Sequence, residues 1–257
     1  MTATVRIQTV EGLVFAADGR ARDEQLKEVK NDCQKIFPIH GSPIAYAVYG
    51  MAGIGNEGTP DIIVDVCQEL ANFNRDQKRN ISDLVAYGNK MTLPVYRSLL
   101  KAKNSGLLEK YPGDLEPGQR DPTVFHVWLL GYANGMPIEV DVRLSHRNQR
   151  LYKPVAIKQQ LWLGYPPKTL GSGEVHNLLY RSDDERLARF RRAMPSRQED
   201  LTILEAVEVA ANYIKACDSD EGREVDPRLC PGIGGRIHIA TITPLSGFQW
   251  AKGYEPT

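Results

Sequence analysis

Cysteine is scarce in this chain of 257 residues: Cys33, Cys67, Cys217 and Cys230 are the only four, widely separated and without a CxxC pair. That excludes a disulfide framework and the usual zinc spacings, and it suits a reducing cytoplasm with thiols as core filler. No apolar run approaches the about 18 residues of a membrane-spanning helix, so no membrane partner is expected. The start, Met1-Thr2-Ala3-Thr4-Val5-Arg6, has no basic region followed by an apolar stretch and is no secretory signal. Charge of one sign is also missing, because 32 basic residues offset 32 acidic ones. A dedicated nucleic-acid or membrane-surface binder is therefore not expected.

Several catalytic signatures are absent too. The five histidines (His40, His126, His146, His176, His238) show no metal spacing, and no GxSxG elbow accompanies them. Gly232-Ile233-Gly234-Gly235 makes neither a P-loop nor a dinucleotide fingerprint. The expectation is no metal and no organic cofactor. Arg186, Arg189, Arg191 and Arg192 lie among Asp183, Asp184 and Glu185, which reads as a solvated face or a subunit contact. No internal repeat or low-complexity tract is present.

What remains is ordinary globular composition, 42% hydrophobic and 25% charged. The length suits one domain over residues 1–257 with loop insertions near 104–122 and 143–156. The pattern predicts strands at Thr2–Gln8 and Leu13–Ala17, joined by a turn at Val10-Glu11-Gly12. Further strands are expected at Lys35–Ile39 and Ile44–Tyr49. A helix should start at Pro60-Asp61 and carry Ile62, Ile63, Val66, Leu70 and Phe73 inward. A second, capped by Ser82, runs through Leu84 to Leu99, with Pro94 a candidate kink. Thr123–Tyr132 leads into the Asn134-Gly135 hairpin turn, followed by strands at Ile138–Leu144 and Ala156–Gly164. Helices are expected from Gly173 and from Asp200. Arg236–Ile242 is a late strand with Phe248–Trp250 beside it. Strands and helices come in blocks, which suggests antiparallel sheets with helices outside rather than βαβ units.

The N-terminal hairpin makes a geometric prediction. With the turn centred near Val10, residue i faces residue 20 − i, and Thr2 faces Asp18. Directly opposed residues lie roughly 4.5–5.5 Å apart on one face. The third strand brings Lys35 towards Asp18. Met1 precedes a small residue, the usual condition for its removal, with no propeptide expected beyond it. Thr2 would then carry a hydroxyl and a free α-amine of reference pKa about 7.7–8.0, able to take the hydroxyl proton. An ammonium nearby favours the neutral amine.

These residues carry a resemblance. Gly12-Leu13-Val14-Phe15-Ala16-Ala17-Asp18-Gly19-Arg20-Ala21 resembles the second strand of proteasome β-subunits. It is similar also to the bacterial ATP-dependent proteasome-like peptidase and to the bacterial ancestral β-subunit group, all N-terminal nucleophile (Ntn) hydrolases. The Thr2-to-Asp18 separation matches that family's nucleophile-to-aspartate spacing. Lys35-Ile36-Phe37-Pro38-Ile39 resembles the lysine strand, one residue late. Tyr49-Gly50 resembles the element whose glycine N–H donates to the oxyanion. Gly171-Ser172-Gly173 resembles the opening of the third helix, and Gly234–Ile239 the terminal strand.

The resemblance implies an α+β, four-layer α/β/β/α sandwich with two antiparallel sheets. It implies a threonine-type peptidase or amidohydrolase, with Thr2, Asp18, Lys35, Gly50, Ser172 and Asp226 at the site. Peptide or unfolded-protein substrates, a homo-oligomeric ring or smaller assembly, and an ATPase partner left open follow from it as well. One departure stands out: the family's serine three residues after the aspartate is replaced here by Leu229. A catalytically inactive structural subunit and a small-molecule amidase or acylase are the alternatives.

Overall fold

The computed structural model describes residues 2–22, 28–50, 53–55, 62–75, 81–106, 123–147, 150–161, 163, 167–182, 184–191 and 200–257. The first block of strands is β1 (Thr4–Gln8), β2 (Leu13–Asp18), β3 (Ala21–Arg22), β4 (Glu28–Lys30), β5 (Ile36–Pro38), β6 (Ile44–Gly50), β7 (Gly53–Gly55) and β8 (Ile62–Asp65). Helices α1 (Val66–Arg75) and α2 (Leu84–Asn104) follow. Strands resume as β9 (Thr123–Ala133), β10 (Met136–Arg147), β11 (Arg150–Leu151), β12 (Val155–Gln160) and β13 (Lys168–Leu170). Then come α3 (Gly173–Tyr180), a 3₁₀ turn at Glu185–Phe190, α4 (Ile203–Asp218), α5 (Asp220–Val225), β14 (Ile237–Thr243) and β15 (Gly247–Trp250).

Two antiparallel sheets organise the molecule. One runs β13-β1-β2-β14-β15; the other runs β11-β10-β9-β6-β5, with β12 also paired to β10. Three apolar clusters join the parts. Leu13, Phe15 and Ala17 pack between the sheets against Trp128 and Leu130. Val5, Val14 and Ala16, on the other face of the first sheet, pack against Val175 of α3 and Ala210 and Ile214 of α4. Val127, Leu129 and Val140 of the second sheet pack against Leu70 of α1 and Met91 and Leu99 of α2. Both faces of β1 and β2 are thus covered, which explains why every residue of the two strands is buried.

The hairpin register differs from expectation by one residue. Thr4 pairs with Ala17 and Gln8 with Leu13, so residue i faces residue 21 − i and Asp18 aligns with Ala3, not Thr2. The cause is the turn. Thr9 and Gly12 close a loop of two residues, Val10 and Glu11, through a Thr9 N–H bond to the Gly12 carbonyl at 2.9 Å. Thr9 Oγ1 accepts the Glu11 and Gly12 amides at 3.2 and 3.1 Å, supplying the local side-chain turn that the apolar pattern does not reveal.

Two helix starts also shift. Ile62 and Ile63 belong to strand β8 rather than to a helix, as their β-branching favours, and α1 begins only at Val66. Pro60-Asp61, the expected start, lies outside the described residues. For α2 the cap is Asp83 rather than Ser82, its carboxylate accepting the Ala86 amide at 3.0 Å. Pro94 sits inside α2, which runs without interruption. Thr202 and Glu205 form a reciprocal capping box for α4. Asn134 and Gly135 turn the β9–β10 hairpin at φ 53° and 74°, as their sequence predicts.

Of the two expected insertions, 107–122 lies outside the described residues. Much of 143–156 continues β10 and turns through β11 towards β12. No helix among the described residues is long and apolar enough to cross a membrane.

Candidate active site

The end of β2 places Asp18, fully buried, at the point where four chain segments meet. Its Oδ1 accepts the Ala3 amide at 2.8 Å and the Lys35 ammonium at 2.9 Å. Its Oδ2 accepts the Gly234 amide at 3.1 Å and the Arg20 amide at 3.3 Å. Lys35, just before β5, also donates to the Arg20 carbonyl at 2.7 Å. The buried ion pair is therefore satisfied largely by backbone, which offsets the cost of desolvating it. Gly19 follows because a side chain there would meet the Arg236 carbonyl at 2.5 Å.

Thr2 is buried at 4% exposure, next to the amide that Asp18 holds. The one-residue register shift thus leaves the carboxylate gripping the peptide N–H that follows Thr2. Met1 lies outside the described residues.

Ser172 and Asp226 form a second unit. Ser172 caps α3, accepting the Val175 amide at 3.2 Å, and its hydroxyl donates to Asp226 Oδ2 at 2.7 Å. Asp226 Oδ1 accepts the Leu229 amide at 3.0 Å, so the residue three positions on engages Asp226 through its backbone. Tyr213 of α4 donates to the Ser172 carbonyl at 3.1 Å. The β1–β13 ladder pairs Thr4 with Leu170 and Val5 with Thr169. Counted two positions past its last pair, it runs to Thr2 and Ser172. At Gly171, φ is 129° and a Cβ would meet the Tyr213 hydroxyl at 3.0 Å and Ala3 at 3.3 Å, so this approach favours glycine.

Gly50 ends β6, exposed, at φ 95°, opposite Phe125 of β9. The neighbouring Tyr49 hydroxyl is pushed up by burial and then by the Asp18 charge.

Gly234 and His126 are contributors that sequence reasoning does not single out, whereas Arg20, expected to be structural and to pair with an acidic residue near the site, does so. Gly234 donates to Asp18 from the far end of the chain; its glycine-rich context was the available signal. Arg20 reaches Asp218 at 3.0 Å and the Ile233 carbonyl at 2.7 Å, fastening that loop. His126, facing Tyr49 across β6 and β9, pairs through Nδ1 with Asp141 at 3.1 Å, and Arg143 Nε meets the same carboxylate at 2.7 Å. Burial raises the Asp141 carboxyl, but the bonds from His126 and Arg143 outweigh it and hold it below its ordinary value. Of the arginine group expected on a solvated face, Arg186 pairs with Asp184 and Arg189 with Glu221, while the partly buried Arg191 donates to the Leu178 and Asp184 carbonyls.

No protein-family model matches the chain, and no curated protein matches its sequence. Solved structures do match in fold. A mutant of Anbu (Gly-1) from Hyphomicrobium sp. strain MC1 aligns at TM-score 0.54 and 13% identity, over 98% of this chain and 85% of that one. Anbu, the ancestral β-subunit, from Yersinia bercovieri aligns at TM-score 0.54 and 10% identity, over 98% and 88%. The helical assembly of the Anbu complex from Pseudomonas aeruginosa aligns at TM-score 0.52 and 13% identity, over 98% and 88%. The chain shares the proteasome-like fold of these ancestral β-subunits.

Proposed function

We propose that this chain is a threonine-type Ntn hydrolase that cleaves amide bonds, with peptides as the substrate class. The observation that carries the reading is the convergence of the Ala3 amide and the Lys35 ammonium on one oxygen of Asp18, immediately after Thr2. Once Met1 is removed, the Thr2 amine takes the hydroxyl proton and Oγ1 attacks the substrate carbonyl carbon. The proton passes to the leaving amine as the C–N bond breaks. Water then splits the Thr2 ester and restores the hydroxyl. Lys35 supplies positive charge beside the nucleophile, held by Asp18. The Gly50 N–H serves the oxyanion, where one donor contributes about 10²–10³ in rate in other enzymes. The Ser172–Asp226 pair supports the amine.

Three apolar clusters, two flanked by helices and one between the sheets, support a four-layer α/β/β/α sandwich formed by one domain. A homo-oligomer in the cytoplasm is part of the same reading. It is supported by the helical assembly of one structural neighbour and by exposed Val10, Met136, Leu204 and Leu245. A catalytically silent assembly subunit is the second reading, favoured by Leu229 in place of the family serine.

Intact mass before and after a peptidyl epoxyketone tests the hydrolase. The expected result is loss of Met1 and one adduct on Thr2, both hydrolysis and adduct vanishing in Thr2→Ala with the fold retained. Retained Met1 without an adduct overturns the reading in favour of the silent subunit.

A further inference from the structure

A second buried acid–base pair lies beside the lysine and has no part in the steps above. His238 of β14 is completely buried, and its Nε2 lies 2.7 Å from Asp32 Oδ1. Asp32 is three residues before Lys35. Its other oxygen accepts the backbone amide of Thr257 at 3.3 Å and the Thr257 hydroxyl. The segment 31–35 is fastened at further points. Asn31 accepts the Arg236 amide at 2.7 Å, Cys33 donates to the Gly19 carbonyl at 2.8 Å, and Lys35 accepts the Val48 amide at 3.2 Å. Side chains add to these backbone bonds: Lys35 Nζ on Asp18 and on the Arg20 carbonyl, Arg20 Nε on Asn31 Oδ1 at 3.4 Å, and the Thr257 and His238 bonds to Asp32.

His238 stands on the inter-sheet face of β14. It pairs with Ala17, next to the residue pair Ile237–Asp18, and its ring meets Trp250 edge-on at 6.3 Å. A histidine among Ala17, Ala240 and Trp250 is a costly choice for packing alone. Its Nδ1 is buried and has no hydrogen-bond partner among the described residues. In the neutral ring, Nε2–H donates to Asp32 and Nδ1 is a bare acceptor. A proton at Nδ1 would bury a second donor without an acceptor. It would also add a cation where Arg236 and Lys35 already act on the ring.

We propose that His238, through Asp32, is a positioning residue that fixes the segment carrying Lys35, and that its protonation loosens this latch. The catalytic consequence rests on the hydrolase reading; the latch itself does not. The charged groups facing the ring among the described residues are Asp32 and Lys35 on the lysine segment and Arg236 just before β14. Burial is the largest influence, lowering the imidazole from its ordinary value; Asp32 opposes it, and Arg236 and Lys35 add to it. The folded state therefore prefers the neutral ring. Stability from this pair is present above about pH 6.5 and is lost as pH falls through the lowered folded value.

Amide hydrogen exchange in the intact protein is the deciding measurement, corrected for intrinsic rates, at the Cys33 and Val48 amides. His238→Leu should speed exchange at both by about tenfold, as expected for one lost charge-assisted bond. His238→Gln, whose amide can still donate to Asp32, should restore protection and abolish its pH dependence. Asp32→Ala, at a partly exposed position, should reproduce the leucine variant if that one folds poorly. The rate of Thr2 labelling by the epoxyketone should follow the same order. Wild-type protection in His238→Leu and Asp32→Ala, or an unchanged pH dependence in His238→Gln, overturns the latch. If exchange behaves as expected while wild-type Thr2 takes no label, the latch stands and the hydrolase reading fails.

Discussion

Two buried ionic clusters flank β1, and they are built differently. Asp18 and Lys35 meet at one end, where backbone amides from three segments, at Ala3, Arg20 and Gly234, complete the carboxylate. On the inter-sheet face, Arg6 meets Glu139 at 2.9 Å, and Lys168 of β13 joins the same carboxylate and Gln159. Lys168 also sits over the Trp128 ring at 5.1 Å. Here the valences do not close: Arg6 Nε, Trp128 Nε1, Thr4 Oγ1 and Gln8 Oε1 are buried without a hydrogen-bond partner among the described residues. Burial is also the largest influence on Arg6, pulling its guanidinium below its ordinary value. The first cluster is preorganised by main chain and cannot be repacked side chain by side chain. The second is held by side chains alone, so it can be exchanged for apolar groups of similar size.

That contrast can be broken by experiment. Asp18→Asn should have the largest effect, abolishing Thr2 labelling and costing about 3–5 kcal/mol in urea unfolding, because Lys35 stays buried without its counter-charge. Normal labelling would detach Asp18 from the site. Glu139→Ala should cost a similar about 3–5 kcal/mol by leaving Arg6 and Lys168 unpaired, yet labelling per folded molecule should persist. A parallel loss of labelling would mean that the two clusters are one functional unit. Ser172→Ala removes a helix cap, worth about 1 kcal/mol, together with the bond to Asp226. Its unfolding midpoint should move modestly while labelling slows. Replacing Arg6, Glu139 and Lys168 together by Met, Leu and Met should be neutral to stabilising. A loss as large as that of Glu139→Ala would show that the inter-sheet cluster tolerates exchange no better than the first.

Acid should also separate one pair from the rest. The folded value of Asp141 is depressed, so its stabilising contribution is present above about pH 3.9 and is lost as pH falls through the folded value. Arg143→Ala should reduce that acid-range dependence in pH-scanned thermal unfolding, with a smaller effect than any buried change. An unaltered acid profile would remove Asp141 as its source.

Much of the candidate site's geometry was legible because its spacing is local. The separation of Thr2 and Asp18 follows from one hairpin, and Lys35 does reach Asp18 as expected. Gly171-Ser172-Gly173 announced a helix cap, and Ser172 is one. The register was not legible, because Thr9 set a two-residue turn through its hydroxyl. Arg6 and Glu139 were hidden for another reason. Each alternates with apolar neighbours, as a solvent-facing residue does, and alternation does not reveal whether the polar side meets water or a second sheet. His238 and Asp32 lie 206 residues apart and meet only when β14 closes beside β2.

By itself, then, the sequence determined most strands and helices with strong periodicity, the Ser172 cap, the Asn134-Gly135 turn and the spacing of the residues proposed for catalysis. These depend on neighbours a few positions away, whose geometry is fixed by backbone sterics and local hydrogen bonds. Only the tertiary structure decided which polar faces are buried. It alone placed the Gly234 amide on Asp18, joined Ser172 to Asp226 and set His238 against Asp32. Those contacts depend on distant segments being brought together, and their energies exist only once the two sheets have excluded water between them.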